Sequence, residues 1–302
     1  MNGMEKYALK LKQSGILYRE NEPMCEHTTF RIGGPAGFFV EPHTEGELEC
    51  VLTAAREAGI KYFLLGRGSN VLFCDKGYNG AVISTKSLSD ISVNGNVITC
   101  GCGASLTSVA CVARDHGLTG LEFAYGIPGF VGGAVYMNAG AYGGQMSDVL
   151  ESSVSYDVDA GEKFTLDAGE HKFAYRHSVY MENRQWIVLS ATFRLKKGEK
   201  SQIDAEMNDY MERRRSKQPL EFPSAGSVFK RCQGHFTGQM IEEQGMKGFS
   251  VGGAQISDKH AGFIVNRGGA TAADVMGLVE IIKSRIRKAY GLELQCELIY
   301  VE

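Results

Sequence analysis

The chain has 302 residues, 43% hydrophobic and 22% charged, with a formal net charge of −3. That length fits two domains at about 150 residues each, and the near-neutral balance excludes a global basic field for nucleic acid or anionic lipid. Glycine is the outlier: 38 residues, nearly twice the usual share of about 7%, against only six prolines.

In chain order, the N-terminal stretch MNGMEKYALKLKQSG lacks the apolar run of a signal peptide. FFVEP (38–42) reads as a strand, and Glu45 to Ala58 places Leu48, Val51, Leu52 and Ala55 on one helical face. KYFLL (61–65), AVIST (81–85) and VITCG (97–101) are strands. A helix over Ser105–His116 has Leu106, Val109, Ala110 and Ala113 on its apolar face, closed by Gly117. Residues 151–197 are strand-rich: SSVSYDV, KFTL and WIVLSATFRL. A polar break, KKGEKSQ (196–202), separates this part from an α+β module of about 100 residues. That module begins with a charged helix over Asp204–Ser216 that runs into RRRSK. It continues with a helix containing Glu242–Gln244 and a strand HAGFIVN. A long helix behind the capping box Thr271…Asp274 has Val275, Leu278, Val279, Ile282 and Ile286 on one face. LELQCELIYVE closes the chain as a strand, which would place Glu293, Gln295 and Glu297 on one face.

The eight cysteines contain no C-x-x-C pair, the pattern of free thiols in a reducing compartment. Cys100 and Cys102 point to one side of a strand as small packed residues. No H-E-x-x-H motif or Cys/His cluster occurs, so no metal site is expected. A cytoplasmic protein is the default.

Phe123 to Ser147 contains no Asp, Glu, Lys, Arg or His. It is long enough to span a bilayer, but its glycines at ~1 kcal/mol each and its proline at ~3 kcal/mol work against a helix, and no basic flank anchors it. No membrane association is expected. Gly66-Arg67-Gly68-Ser69-Asn70 follows a strand yet fails the Rossmann fingerprint: Val71 stands at the third glycine position and VLF continues as strand. Gly101-Cys102-Gly103 opens a helix, with Leu106 at the third glycine position. Gly126, Gly129, Gly132 and Gly133 are spaced so that backbone N–H groups can form an anion-binding nest, where a carboxylate would repel phosphate. Together with GRGSN, this spacing points to dinucleotide binding by a non-Rossmann route.

An ordered set of motifs then emerges: HTTFRIGGPA (27–36), LGRGSNVL (65–72), GIPGFVGGAVYMNAGAYG (126–143), YR (175–176), KQP (217–219), GSVFK (226–230), KGFSVGGAQIS (247–257), KHAGFIVN (259–266) and GLELQCELI (291–299). This set resembles the UDP-N-acetylenolpyruvoylglucosamine reductase family over nearly the whole chain. The short stretch from Arg176 to Trp186 matches the class without an inserted tyrosine-bearing loop. The resemblance implies an α+β protein: a two-lobed FAD-binding domain of the vanillyl-alcohol-oxidase type over 1–200, then an α+β substrate-binding domain over 201–302. It implies noncovalent FAD, NADPH as hydride donor, and UDP-N-acetylglucosamine enolpyruvate as substrate in peptidoglycan precursor synthesis.

The residue roles implied are these. Arg176 clamps the substrate carboxylate, Ser227 donates a proton, and Glu297, selected by the G-L-x-L-x-x-E spacing, is the second catalytic group. Gly66, Arg67, Gly68, Ser69, Asn70, Ile127, Gly129, Gly132, Gly133 and Asn138 bind FAD. Tyr175, Lys217, Gln218, Lys247 and Gln255 bind substrate. Phe130 stands where the family has a small hydroxyl residue, and Cys232 where it has proline. The alternative is another FAD-linked oxidoreductase of the same superfamily, acting on an alcohol, hydroxy acid or lactone. In that reading a covalent flavin link through Cys102 or Cys111 stays open. Neither reading fixes the oligomeric state; a monomer is compatible with both.

Overall fold

The computed structural model describes residues 1–232 and 234–302. The chain forms two compact units, each discontinuous in sequence. One comprises 1–19, 38–66 and 80–213; the other comprises 20–37, 67–79 and 214–302.

In the first unit, helix Gly3–Gln13 is opened by an Asn2–Glu5 capping box and buries Tyr7 and Leu11. Helix Glu45–Ala58 starts at Thr44 and ends at left-handed Gly59, and buries Leu48, Val51, Leu52 and Ala55, the face expected from the sequence. Strand Tyr62–Leu65 pairs in parallel with Tyr78–Ser84, Tyr62 opposite Ala81. A five-stranded antiparallel sheet runs in the order Glu162–Asp167, Leu150–Asp157, Trp186–Arg194, Val97–Gly101, Ile91–Asn94. One hydrophobic core, from Tyr7 to Met207, joins these elements.

The expected polar break is partly regular structure: Lys196–Lys197 is a strand paired antiparallel with Leu118–Thr119. Helix Lys200–Lys217 begins inside KKGEKSQ and buries Ile203 and Met207 in the first unit's core. Its residues are mostly good helix formers, and its last turn places Arg214, Arg215 and Lys217 against the negative end of the helix dipole.

The second unit has its own core, from Phe30 to Leu298. Its antiparallel sheet runs Ser224–Ser227, Phe263–Asn266, Ala254–Ile256, Ser250–Val251. Helix Ala272–Tyr290 starts at the Thr271–Asp274 capping box, ends at left-handed Gly291, and buries the five predicted apolar residues. The closing strand is shorter than the sequence pattern indicates. Only Ile299–Val301 is strand, paired in parallel with Val71–Phe73. Before it, Cys296 forms an isolated bridge to Phe229, and Glu293 is exposed and ion-paired with Arg287. The expected alternation persists in exposure, with Glu293 and Gln295 exposed, Glu297 half-buried, and Leu294 and Leu298 buried, although this segment meets the Ser227–Lys230 segment through the Cys296–Phe229 bridge instead of a continuous ladder.

Candidate active site

The charge-free segment folds as short pieces built on backbone hydrogen bonds. Val131 N–H donates to Ala104 O at 2.9 Å and Gly132 N–H to Cys102 O at 2.8 Å, seating the six-residue helix Val131–Tyr136 on the start of helix Leu106–Asp115. Gly132 is required by packing: a Cβ there would lie 2.9 Å from Cys102 Cβ. Gly133 differs, since a Cβ there would meet nothing within 4 Å. At Gly66, at the end of strand Tyr62–Leu65, an added Cβ would meet only Phe130, at 3.8 Å. Gly66 and Gly133 thus present backbone with no side chain of their own in the way, whereas the Gly129 N–H donates to Ile127 O at 2.8 Å and a Cβ there would lie 3.5 Å from Leu106 Cδ1. Gly66 and Gly133 fit a cradle for the pyrophosphate of a dinucleotide such as FAD. Phe130 is buried and begins helix Val131–Tyr136 without a side-chain cap; its ring turns into the protein beside Gly66.

Tyr175 and Arg176 form the two-residue tip of a tight hairpin. Ala174 and His177 exchange N–H···O bonds of 3.2 Å in both directions, and Arg176 is left-handed at φ 53°, uncommon for a residue with a Cβ. The Arg176 guanidinium donates to Asn138 O at 3.4 Å and Gly140 O at 3.1 Å and lies over the exposed Tyr175 ring. Asn138, assigned to FAD by sequence, is buried and directs its side chain elsewhere. Its amide donates to Ala174 O and Gln145 Oε1, and its Oδ1 accepts from Ser147 N–H. Its visible work is to tie the Arg176 hairpin to the glycine segment.

In the second unit, Gly68 is left-handed at φ 68°, and a Cβ would fall 2.3 Å from His27 O. Its role is to let the chain pass against residues 27–28. Asn70 likewise engages protein: its amide donates to Glu297 O at 3.1 Å, and its own carbonyl accepts from Ile299 N–H. Arg67 is exposed, and Ser69 and Asn70 are half-buried. Ser227 ends strand Ser224–Ser227 opposite Phe263, beyond a bulge and next to left-handed Gly226. Glu297 N–H donates to Val228 O at 2.8 Å. Ser227 and Glu297, separated by seventy residues in sequence, thereby lie on adjoining segments, and both are half-buried.

The substrate-assigned residues of this unit have partners of their own. Gln255 donates to Gly248 O and Ser250 Oγ, Lys247 pairs with Glu242 at 2.7 Å, and Gln218 accepts from Arg214. Lys217 is exposed. Cys232 forms an isolated bridge with His235 and packs against the second core.

Several roles escaped the sequence reading. Thr29, within HTTFRIGGPA, donates to Ser224 O at 2.7 Å and so holds the start of the Ser227 strand; Asn266 donates to Phe30 O. Their partners lie about two hundred residues away, so no local pattern marks them. Glu22, Glu26 and His27 bring ligand atoms within 4.8 Å of one another, with a 2.7 Å contact between Glu22 and His27. Cys102 is 1% exposed, and burial pushes its thiol up to about 12, which disfavours the thiolate needed for a covalent flavin link.

Comparison with known proteins fits this layout. Residues 36–165 match the family described as FAD binding domain. A variant of berberine bridge enzyme that acts as a reticuline dehydrogenase shares the fold at TM-score 0.51 and 12% identity, over 64% of this chain and 44% of that one. The molecule is therefore an FAD-binding protein of the vanillyl-alcohol-oxidase fold. Residues 218–301 match UDP-N-acetylenolpyruvoylglucosamine reductase, C-terminal domain. The reductase of that name from Caldanaerobacter subterraneus subsp. tengcongensis is 45% identical over 96% of both chains. The structure of the Thermus caldophilus reductase has TM-score 0.80 and 32% identity, over 95% of this chain and 99% of that one. The chain belongs to the UDP-N-acetylenolpyruvoylglucosamine reductase family.

Proposed function

We propose that this protein reduces the enolpyruvyl ether of UDP-N-acetylglucosamine to UDP-N-acetylmuramate, with NADPH as the hydride donor, in peptidoglycan precursor synthesis. The observation that carries the reading is identity of 45% to a reductase of this name across 96% of both chains. Residues 1–200 would serve FAD and 201–302 the substrate. Gly66 and Gly133 would hold the pyrophosphate of noncovalent FAD, a group whose chemistry is hydride transfer, here between NADPH and the terminal vinyl carbon.

The chain's own residues would then manage charge and proton. Negative charge develops on the carbon next to the one that receives hydride and spreads into the adjoining carboxylate. Arg176 offers that carboxylate a planar fork that stays charged. Ser227 gives the proton that completes the second C–H bond. Glu297 acts as the second acid–base group at the developing charge. Lys217, Gln218, Lys247, Gln255 and Tyr175 would bind the rest of the substrate. A cytoplasmic setting agrees with eight free thiols and with the finding that, among the described residues, no helix is long and apolar enough to cross a membrane.

The test is NADPH oxidation by FAD-loaded protein, followed by absorbance, with and without UDP-N-acetylglucosamine enolpyruvate. Substrate-dependent oxidation with formation of UDP-N-acetylmuramate supports the reading; oxidation indifferent to the substrate sinks it.

A further inference from the structure

The segment that carries Arg176 is clasped at both ends by one buried hydroxyl. Ser153 Oγ, on strand Leu150–Asp157, lies 2.8 Å from His171 Nε2 and 2.7 Å from Tyr180 Oη. Ser155 Oγ, two residues along the same strand, lies 2.6 Å from Tyr180 Oη. His171 precedes the Tyr175–Arg176 tip and Tyr180 follows it. All four side chains are at most 1% exposed.

The direction of every proton in this chain follows from its end. His171 Nδ1 lies 2.9 Å from Asp167 O, and a carbonyl can only accept, so Nδ1 carries the proton. Burial keeps the ring neutral by holding its pKa below the ordinary histidine range. Nε2 must then accept, and Ser153 donates to it. That uses the Ser153 proton, so Tyr180 donates to Ser153, and Ser155 donates to Tyr180. The result is a one-way relay from Ser155 through Tyr180, Ser153 and His171 to the backbone.

Burying four polar side chains in place of apolar ones is unfavourable unless each is satisfied, and a fully satisfied network fixes one arrangement. Here it fixes the two stems of a hairpin whose tip is a left-handed arginine. Two further ties point the same way: Ser178 Oγ donates to Tyr136 O at 2.5 Å, and the Asn138 amide donates to Ala174 O.

We propose that Ser153, Ser155, His171 and Tyr180 are positioning residues that set the Arg176 hairpin for its action on the substrate carboxylate. The proposal rests on the reading of Arg176 as the carboxylate clamp. Tyr180→Phe removes the hydroxyl at the centre of the relay and keeps the ring. In FAD-loaded protein it should lower kcat/KM for UDP-N-acetylglucosamine enolpyruvate at least about tenfold, the scale of a small misplacement of a catalytic group. NADPH oxidation with an artificial electron acceptor should be unchanged. In an Arg176→Ala background, Tyr180→Phe should add no further loss, since residues acting through one another are not additive. Ser155→Ala is read in the same way and decides the matter if Tyr180→Phe does not fold.

Wild-type kcat/KM in the relay variants overturns the positioning role and leaves the function standing. An equal further loss without Arg176, or a matching loss with the artificial acceptor, also overturns it. Absence of substrate-dependent turnover in the wild-type protein overturns the proposed function and this inference together.

Discussion

The hairpin that carries Arg176 and the terminal segment that carries Glu297 are held by opposite means. The hairpin stems hang on side chains: the Ser155–Tyr180–Ser153–His171 relay, the Ser178 hydroxyl and the Asn138 amide. The Glu297 segment hangs mainly on backbone, with Glu297 N–H on Val228 O, Lys230 N–H on Gln295 O and Ile299 N–H on Asn70 O. Asn70 adds a single side-chain tie. A side-chain network can be cut one link at a time and exposes a buried partner whenever it is. A backbone ladder tolerates new side chains and yields only where the main chain itself is constrained.

The largest expected effect lies at the tip of the hairpin. Arg176→Ala should lower kcat/KM for UDP-N-acetylglucosamine enolpyruvate by about 10²–10³, the scale for removing one donor from developing charge. Arg176→Lys should recover only part of this, because an ammonium keeps the charge without the planar fork. Steady-state kinetics decide it; a fully active Arg176→Ala enzyme would remove the functional half of the comparison.

Next comes the constraint on main chain. Gly68→Ala would place a methyl 2.3 Å from His27 O and 2.9 Å from Thr28 Cα, in a left-handed conformation. Neither neighbour is the end of a flexible side chain. A loss of at least ~1–3 kcal/mol is expected, read as a lower denaturant midpoint. Unchanged stability would show that the chain can shift away from residues 27–28, and the description of this unit as backbone-constrained would be wrong.

Smaller effects separate the two kinds of support directly. Ser153→Ala removes a group bonded to both His171 and Tyr180 and leaves two buried polar atoms short of a partner, a cost of about 1–3 kcal/mol. Asn70→Ala removes one tie from half-buried surroundings, and the backbone bonds around Glu297 remain, so about 1 kcal/mol is expected. The order of the two, measured by urea unfolding, tests the comparison; a larger loss for Asn70→Ala would reverse it.

Most helices, several strands and the failure of the Rossmann pattern were legible because each depends on nearby residues: Leu48, Val51, Leu52 and Ala55 on one helical face, Thr271 and Asp274 closing a capping box, Val71 where a third glycine would stand. The closing strand was misjudged because alternation in LELQCELI reports which residues meet apolar surroundings, not which backbone they pair with. Ser227, Glu297 and Arg176 were legible only through the ordered motifs. Asn70 and Asn138 were grouped with the cofactor because they sit in glycine-rich motifs, yet their amides reach Glu297 and Ala174. His171 and Tyr180 carried no sequence signal at all, since their shared partner Ser153 lies on a strand that reads as ordinary sheet.

Acidification acts on both units. His171 and His260 are each held below the ordinary histidine range, chiefly by burial. His171 faces Ser153, the Asp167 carbonyl and the rings of Phe173 and Tyr180, with Glu170 nearby; the His260 ring accepts Gly262 N–H, with Lys247 and Glu242 nearby. As pH falls below about 6.5, the unfolded chain takes up protons that the folded chain refuses, so stability falls. The fall stops below the depressed folded pKa. His171→Gln should flatten part of this dependence and leave the share due to His260. An identical pH profile in the variant would mean that the relay histidine is not the neutral acceptor its bonding requires.

The smallest effect on folding tests the cradle. Gly133 lies in the first turn of helix Val131–Tyr136, has no left-handed backbone requirement, and would place a Cβ in open space. Alanine restricts the unfolded chain more than glycine does, so Gly133→Ala should leave the FAD-free protein unchanged or stabilise it by about 0.4–1 kcal/mol. If the open side of Gly133 is where the FAD pyrophosphate approaches backbone, the same methyl should weaken FAD binding about tenfold, measured by fluorescence titration of FAD-free protein. Gly132→Ala, which would press on Cys102 Cβ, should instead lose stability. Undiminished FAD affinity in Gly133→Ala would remove Gly133 from the cofactor cradle, while equal destabilisation by both substitutions would mean that the two glycines serve packing alike.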